Sequence, residues 1–210
     1  MTRDALMDKA IPAALKLAAS TKWADLTLKT LADELGLKLS DFHGLTDKSD
    51  LSWAVEGYFD KAMSEGAFDE DESPRTRLFD VLMMRFEAME DTRDGTKSYL
   101  KWRDSNLAGL KTRVSGRAAT ARWALTCCGL DGRGRVPLSL QIGGLSWAIA
   151  SAERAWKQET SPDLTRTMAA LDAELLKLEA RAKWFEGRST SKKKNDDSGE
   201  RQNDQTEEDA

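Results

Sequence analysis

The sequence predicts an all-α protein. Apolar residues recur at steps of three and four along almost the whole chain, strand-like alternation is missing, and only four prolines interrupt 210 residues, so about nine helices are expected. Their grouping is uneven: a three-helix unit over residues 1–47, a larger helical body over 48–186 and a polar tail over 187–210.

Leu6, Ala10, Ala13 and Leu17 mark one face of a first helix from about Thr2 to Ser20, followed by a connector to Leu26. Leu28, Leu31, Ala32 and Leu35 mark a short second helix behind Thr27. Gly36 then stands where a helix ends in a left-handed residue, and Leu37 to Gly44 forms a second short helix with Leu39 and Phe42 turned inward. Asp47 caps the next helix, whose inward stripe is Leu51, Ala54, Val55, Tyr58, Phe59 and Ala62.

Past the acidic loop FDEDES, which lacks the spacing of a calcium loop, Ser73 and Pro74 start a fifth helix with Leu78, Leu82, Phe86 and Met89 along one side. Asp91 to Gly129 reads as two helices, broken near Asp104–Leu107 or near Ser115 and Gly116. Val136 to about Glu159 forms the next, and Ser161 with Pro162 caps a last one running to about Glu186. In that helix Leu164, Met168, Leu171, Leu175, Leu178, Ala182 and Phe185 alternate steps of four and three, a seam that wants a helix alongside. From Gly187 the chain has no apolar residue until Ala210, so order there would cost more entropy than burial returns.

Two short helices meeting at a glycine make a helix-turn-helix. The second of such a pair presents side chains to base edges, while helix N-termini and lysines hold phosphates. On this register Lys38, Ser40, Asp41 and His43 face the groove of double-stranded DNA, with Thr27 and Lys48 at the flanking helix starts. Charge does not help: residues 1–50 hold seven Lys and Arg against eight Asp and Glu, a net of −1.

Catalysis finds little footing. His43 is the single histidine, no serine or thiol has a base partner in view, and no phosphate loop occurs, so neither an enzyme nor a metal or cofactor is expected. Cys127 and Cys128 are adjacent and suit free thiols near a helix end. No run nears the roughly 20 apolar residues of a membrane span, and the start lacks the apolar core of a secretory signal, which points to the cytoplasm.

Thr27, Leu31 followed by Ala32, Gly36, Phe42 or His43, and Lys48 followed by Leu51 stand in an order that resembles the TetR family of transcriptional regulators, over residues 1 to about 186. The resemblance implies an effector-responsive repressor acting as a homodimer on a pseudo-palindromic operator. It implies a pocket for a small hydrophobic or aromatic effector in the larger domain, where Met83, Phe86, Tyr99, Trp102 and Trp123 fall, although such side chains are ordinarily plain core. It also implies a dimer face on the last two helices, assigned to Leu145, Trp147, Leu164, Met168, Leu171 and Leu175, with Trp156 beside them. The same fold serves the lipid-binding accessory protein of ubiquinone biosynthesis, which does not bind DNA and stands as the alternative.

Overall fold

The computed structural model describes residues 1–66, 71–105, 107–131 and 136–203, and the side chains of these except 108 and those from 186 on. Eight α-helices and two short 3-10 turns make up the described residues. They are α1 (Arg3–Ser20), α2 (Leu28–Leu35), α3 (Lys48–Ala62), α4 (Pro74–Glu90), α5 (Arg93–Ser105), α6 (Leu107–Cys127), α7 (Leu138–Lys157) and α8 (Thr165–Asn203).

The capping residues behave as their chemistry requires. Thr27 accepts from the Thr30 backbone N–H at 3.1 Å, Asp47 from Asp50 at 2.7 Å and Ser73 from Thr76 at 3.1 Å, each filling an orphan donor at a helix start. Gly129, at φ 63°, ends α6, and Leu130 N–H returns to the Leu125 carbonyl at 2.8 Å. α5 ends at Ser105 and α6 starts at Leu107, within the first of the two regions that the sequence allows.

Two ends differ from expectation. α8 does not start at Ser161 and Pro162: Leu164 takes φ 51°, and the cap comes from Glu159, whose carboxylate accepts from Thr160, Ser161 and Thr167 N–H groups at 3.0 to 3.1 Å. Against the upward push of burial, those donors hold the Glu159 carboxyl at about 2. At the other end, α8 runs without a break through Gly187 to Asn203, where composition predicts no order. Lys, Glu, Arg and Gln are adequate helix formers even with nothing apolar to bury. Part of the acidic loop (67–70), part of the glycine-rich turn (132–135) and residues 204–210 lie outside the described residues.

The N-terminal unit shares its core with the rest of the chain. α1 buries Leu6, Ala10, Ala14 and Leu15 and packs most closely on α5, a contact exceeded in extent only by α7 against α8. A Cβ on Gly95 of α5 would lie 1.8 Å from the Leu15 carbonyl oxygen, so only glycine lets the two backbones meet. Trp23, in the 3-10 turn Trp23–Asp25 after α1, extends the joint: its backbone N–H donates to Ser98 Oγ at 3.0 Å and its ring meets Tyr99 edge-on at 4.9 Å.

Gly95→Ala should therefore lower the unfolding free energy by about 3 kcal/mol, the upper part of the usual overpacking cost. Urea unfolding followed by circular dichroism checks it. A change within a few tenths of a kcal/mol would mean that α1 and α5 separate without penalty.

Candidate functional site

The turn after α2 is built by Gly36, Asp41 and Phe42. Gly36 adopts φ 63° and Leu37 N–H closes on the Ala32 carbonyl at 2.9 Å, which reverses the chain. The segment expected as a full recognition helix is a single 3-10 turn, Leu39–Asp41, followed by non-helical turns to Gly44 at φ 74°. One turn suffices to anchor it, because Phe42 is buried beneath it in the core. Leu39, expected to face inward, is 51% exposed.

Lys38, Ser40, Asp41 and His43 all reach the surface of this turn. Asp41 is also occupied: its carboxylate accepts from the Lys38 backbone N–H at 2.9 Å, as a capping residue does. Among the described residues the Lys38 ammonium has no acidic partner, whereas Lys16 and Lys29 are paired with Glu34 and Asp33. Lys48 is half-buried and donates to the Ala24 carbonyl at 2.5 Å; burial lowers its pKa, with Asp25 opposing. Thr27 is exposed at the α2 start, its hydroxyl engaged with Thr30.

Inside the larger body, where the resemblance implies an effector pocket, the structure places charge. Glu56 and Asp60 of α3, Arg85 of α4, Arg103 of α5 and Glu153 of α7 are buried, and Arg117 of α6 joins them. Glu56 accepts from Arg85 at 2.6 Å and from Arg103 at 2.8 Å; Asp60 pairs with Arg85, and Glu153 with Arg103 and, at 2.8 Å, with Arg117. Thr120 donates to Asp60, and Tyr99 Oη donates at 2.9 Å to Glu56 and to the Ser52 carbonyl. Three carboxylates thus balance three guanidiniums, the condition under which buried charge persists.

The environments push these groups apart. Burial opposes ionisation of Glu153, yet Arg103 and Arg117 hold its carboxyl at about 2, and the arginines likewise keep Glu56 below its usual value. For Asp60 burial outweighs Arg85, and its pKa rises. Sequence reasoning misses this network because partners such as Glu56 with Arg85 and Arg103 with Glu153 lie 29 to 50 residues apart along the chain. Its signal is there: Arg85 sits in the apolar register of Leu82 and Met89, and Glu153 in that of Ile149 and Trp156.

The expected pocket residues do not converge. Tyr99 and Trp102 come together with Trp23, their rings 6.1 Å apart, at the joint with the N-terminal unit. Met83 and Phe86 are core residues of α4. Trp123 is 41% exposed on α6 and donates to the Asp60 carbonyl at 3.1 Å.

The expected dimer face also divides. Leu145, Leu164, Leu171 and Leu175 are buried within the chain, where α7 and α8 pack, so their seam is internal and closed to a partner. Trp156 is fully buried and donates to Glu90 at 2.9 Å. Only Trp147 and Met168, 59% and 40% exposed, face outward. The spacing of a seam cannot tell a partner helix in the same chain from one in another.

Glu153 makes the acid stability predictable. Its folded-state pKa of about 2 lies below the ordinary 4.5, so its contribution is whole above about 4.5 and is lost as pH falls through about 2. Urea unfolding across that window should show a falling limb that Glu153→Gln flattens, with about 3–5 kcal/mol lost at neutral pH. Parallel limbs in the two proteins would remove Glu153 as the cause.

No protein-family model and no curated protein matches the sequence. Solved structures do. A TetR transcriptional regulator from Nitrosomonas europaea superposes with a TM-score of 0.66 at 20% identity, covering 85% of this chain and 98% of that one. Another, from Rhodococcus sp. RHA1, gives 0.60 at 18% identity over 83% and 97%. From its N-terminal turn to its two closing helices, the chain has the fold of the TetR transcriptional regulators.

Proposed function

We propose that this protein is a DNA-binding transcriptional regulator of TetR type, a cytoplasmic homodimer acting as a repressor on a pseudo-palindromic operator. The observation that carries the proposal is the turn itself: Phe42 anchors it from below while Lys38, Ser40 and His43 stand exposed above. These side chains read base edges, and the α2 and α3 starts at Thr27 and Lys48 meet phosphate. Asp41 holds the turn. A small hydrophobic or aromatic effector bound in the larger body shifts α3 through the charge network. No described helix is long and apolar enough to cross a membrane.

A second reading has its own support. The recognition element is one 3-10 turn with an exposed leucine, and α6 turns Leu107, Leu110 and Val114 outward. Both suit a TetR-fold accessory protein that binds lipid and a partner enzyme instead of DNA.

Binding of the purified protein to its own promoter fragment at several salt concentrations separates the two. The regulator reading expects affinity that falls steeply with salt, a uniform loss for Lys48→Ala with a salt slope smaller by about 1, and altered sequence preference for Lys38→Ala. Absent or salt-insensitive binding, with lipid co-purifying, would favour the accessory protein.

For the dimer, the proposed face is Leu140 and Trp147 of α7, seven residues apart and so on one side, with Met168 and Leu176 of α8. Trp147→Glu should yield folded monomers in size-exclusion chromatography, whereas Leu171→Arg, in the internal seam, should yield unfolded or insoluble protein. A Trp147→Glu dimer of unchanged size would place the interface elsewhere.

A further inference from the structure

α5 carries a charge pattern that its own stability does not explain. Arg93, Lys97 and Lys101 follow at i, i+4 and i+8, so three cations stack along one face, an arrangement that repels itself on a helix. Arg93 is satisfied by Glu90 and by the Glu159 carbonyl. Among the described residues Lys97 and Lys101 have no acidic partner.

Both line a cleft of about 420 Å³, together with Asp104 and Ser105 at the end of α5 and Lys157 at the end of α7. Three ammonium groups there face one carboxylate. That carboxylate is committed: Asp104 accepts from Arg103 at 3.1 Å and pairs with Lys157, which also lies 3.4 Å from Glu153. A chain of net charge −4 therefore concentrates uncompensated positive charge at one concave place. Lys97 is half-buried, and a charge so placed is screened by salt less than one in open water. The volume falls within the range of roughly 300–1,000 Å³ that small-molecule sites occupy.

We propose that this cleft binds a small, multiply charged anion of phosphate or polycarboxylate type, held between Lys97 and Lys101 on α5 and Lys157 on α7. Its position gives occupancy a consequence. An anion on Lys157 competes with Asp104 for that ammonium, and Asp104 is a partner of Arg103, whose guanidinium reaches Glu56 of α3 at 2.8 Å. The cleft therefore ends a chain of charges that begins on the helix behind the N-terminal turn.

Isothermal titration calorimetry and thermal unfolding of the full chain test this with pyrophosphate and with citrate, using sodium chloride at matched ionic strength as the control. At least one anion should bind saturably at one site and raise Tm beyond the chloride control. A response to pyrophosphate alone marks a phosphate ligand, and one to citrate alone a polycarboxylate. Lys97→Gln/Lys101→Gln should keep the fold and weaken binding by about tenfold or more, while Lys97→Arg/Lys101→Arg retains it. If the Gln pair fails to fold, the single Lys101→Gln, at an exposed position, is expected to weaken binding in the same direction. No effect beyond chloride, or equal binding by folded Gln variants, would overturn the proposal. DNA takes no part in the assay, so its outcome is independent of the regulator reading.

Discussion

Glu56 is the residue on which the rest of the structure leans. Its carboxylate is buried and accepts from Arg85, Arg103 and Tyr99, three groups from two further helices. A carboxylate so placed is tolerable only with every partner present, so the separations of α3, α4 and α5 are bound to one another. Arg103 carries the constraint on to Glu153 and hence to α7, and Arg117 closes it onto α6. Apolar packing alone would allow these helices to slide by fractions of a turn. The directional charge pairs select one arrangement.

That arrangement reaches the N-terminal unit by two routes. Tyr99, which donates to Glu56, also packs against Trp23, and the indole of Trp23 donates to Ser52 of α3 at 3.2 Å. Four residues before Tyr99, Gly95 lets the α5 backbone touch that of α1. Any displacement of α5 is therefore passed to α1 by backbone contact and to α3 by charge. Because a packed core deforms between discrete arrangements instead of continuously, a shift at this joint would carry α1 and α3 together.

Much of the local structure was legible in the sequence because each signal is a short-range one. Thr27, Asp47 and Ser73 cap helices whether or not the rest of the chain is known, and Gly36 and Gly129 end them for the same reason. Less legible was the recognition segment, where Leu37 to Gly44 has the apolar spacing of a helix but is too short to hold one, leaving a 3-10 turn pinned by Phe42. Nucleating a helix is costly, and a segment of this length recovers little of that cost by propagation. The Glu159 cap on α8 was missed because its partners stand up to eight residues ahead, beyond the spacing of a local capping box.

Periodicity, capping and glycine placement determined an all-α chain with a short capped helix reversed at Gly36 near its start, since those features depend on neighbours three or four residues apart. The tertiary structure alone decided which stripes face inward. It closed the seam of Leu145, Leu164, Leu171 and Leu175 inside one chain and left Trp147 and Met168 outside. It also filled the heart of the larger body with Arg85, Arg103, Glu56 and Glu153, where the sequence suggested an aromatic pocket. The reason is physical: a charged side chain can lie in the core when partners from other helices neutralise it, and those partners lie 29 to 50 residues away in sequence, beyond the reach of any local pattern.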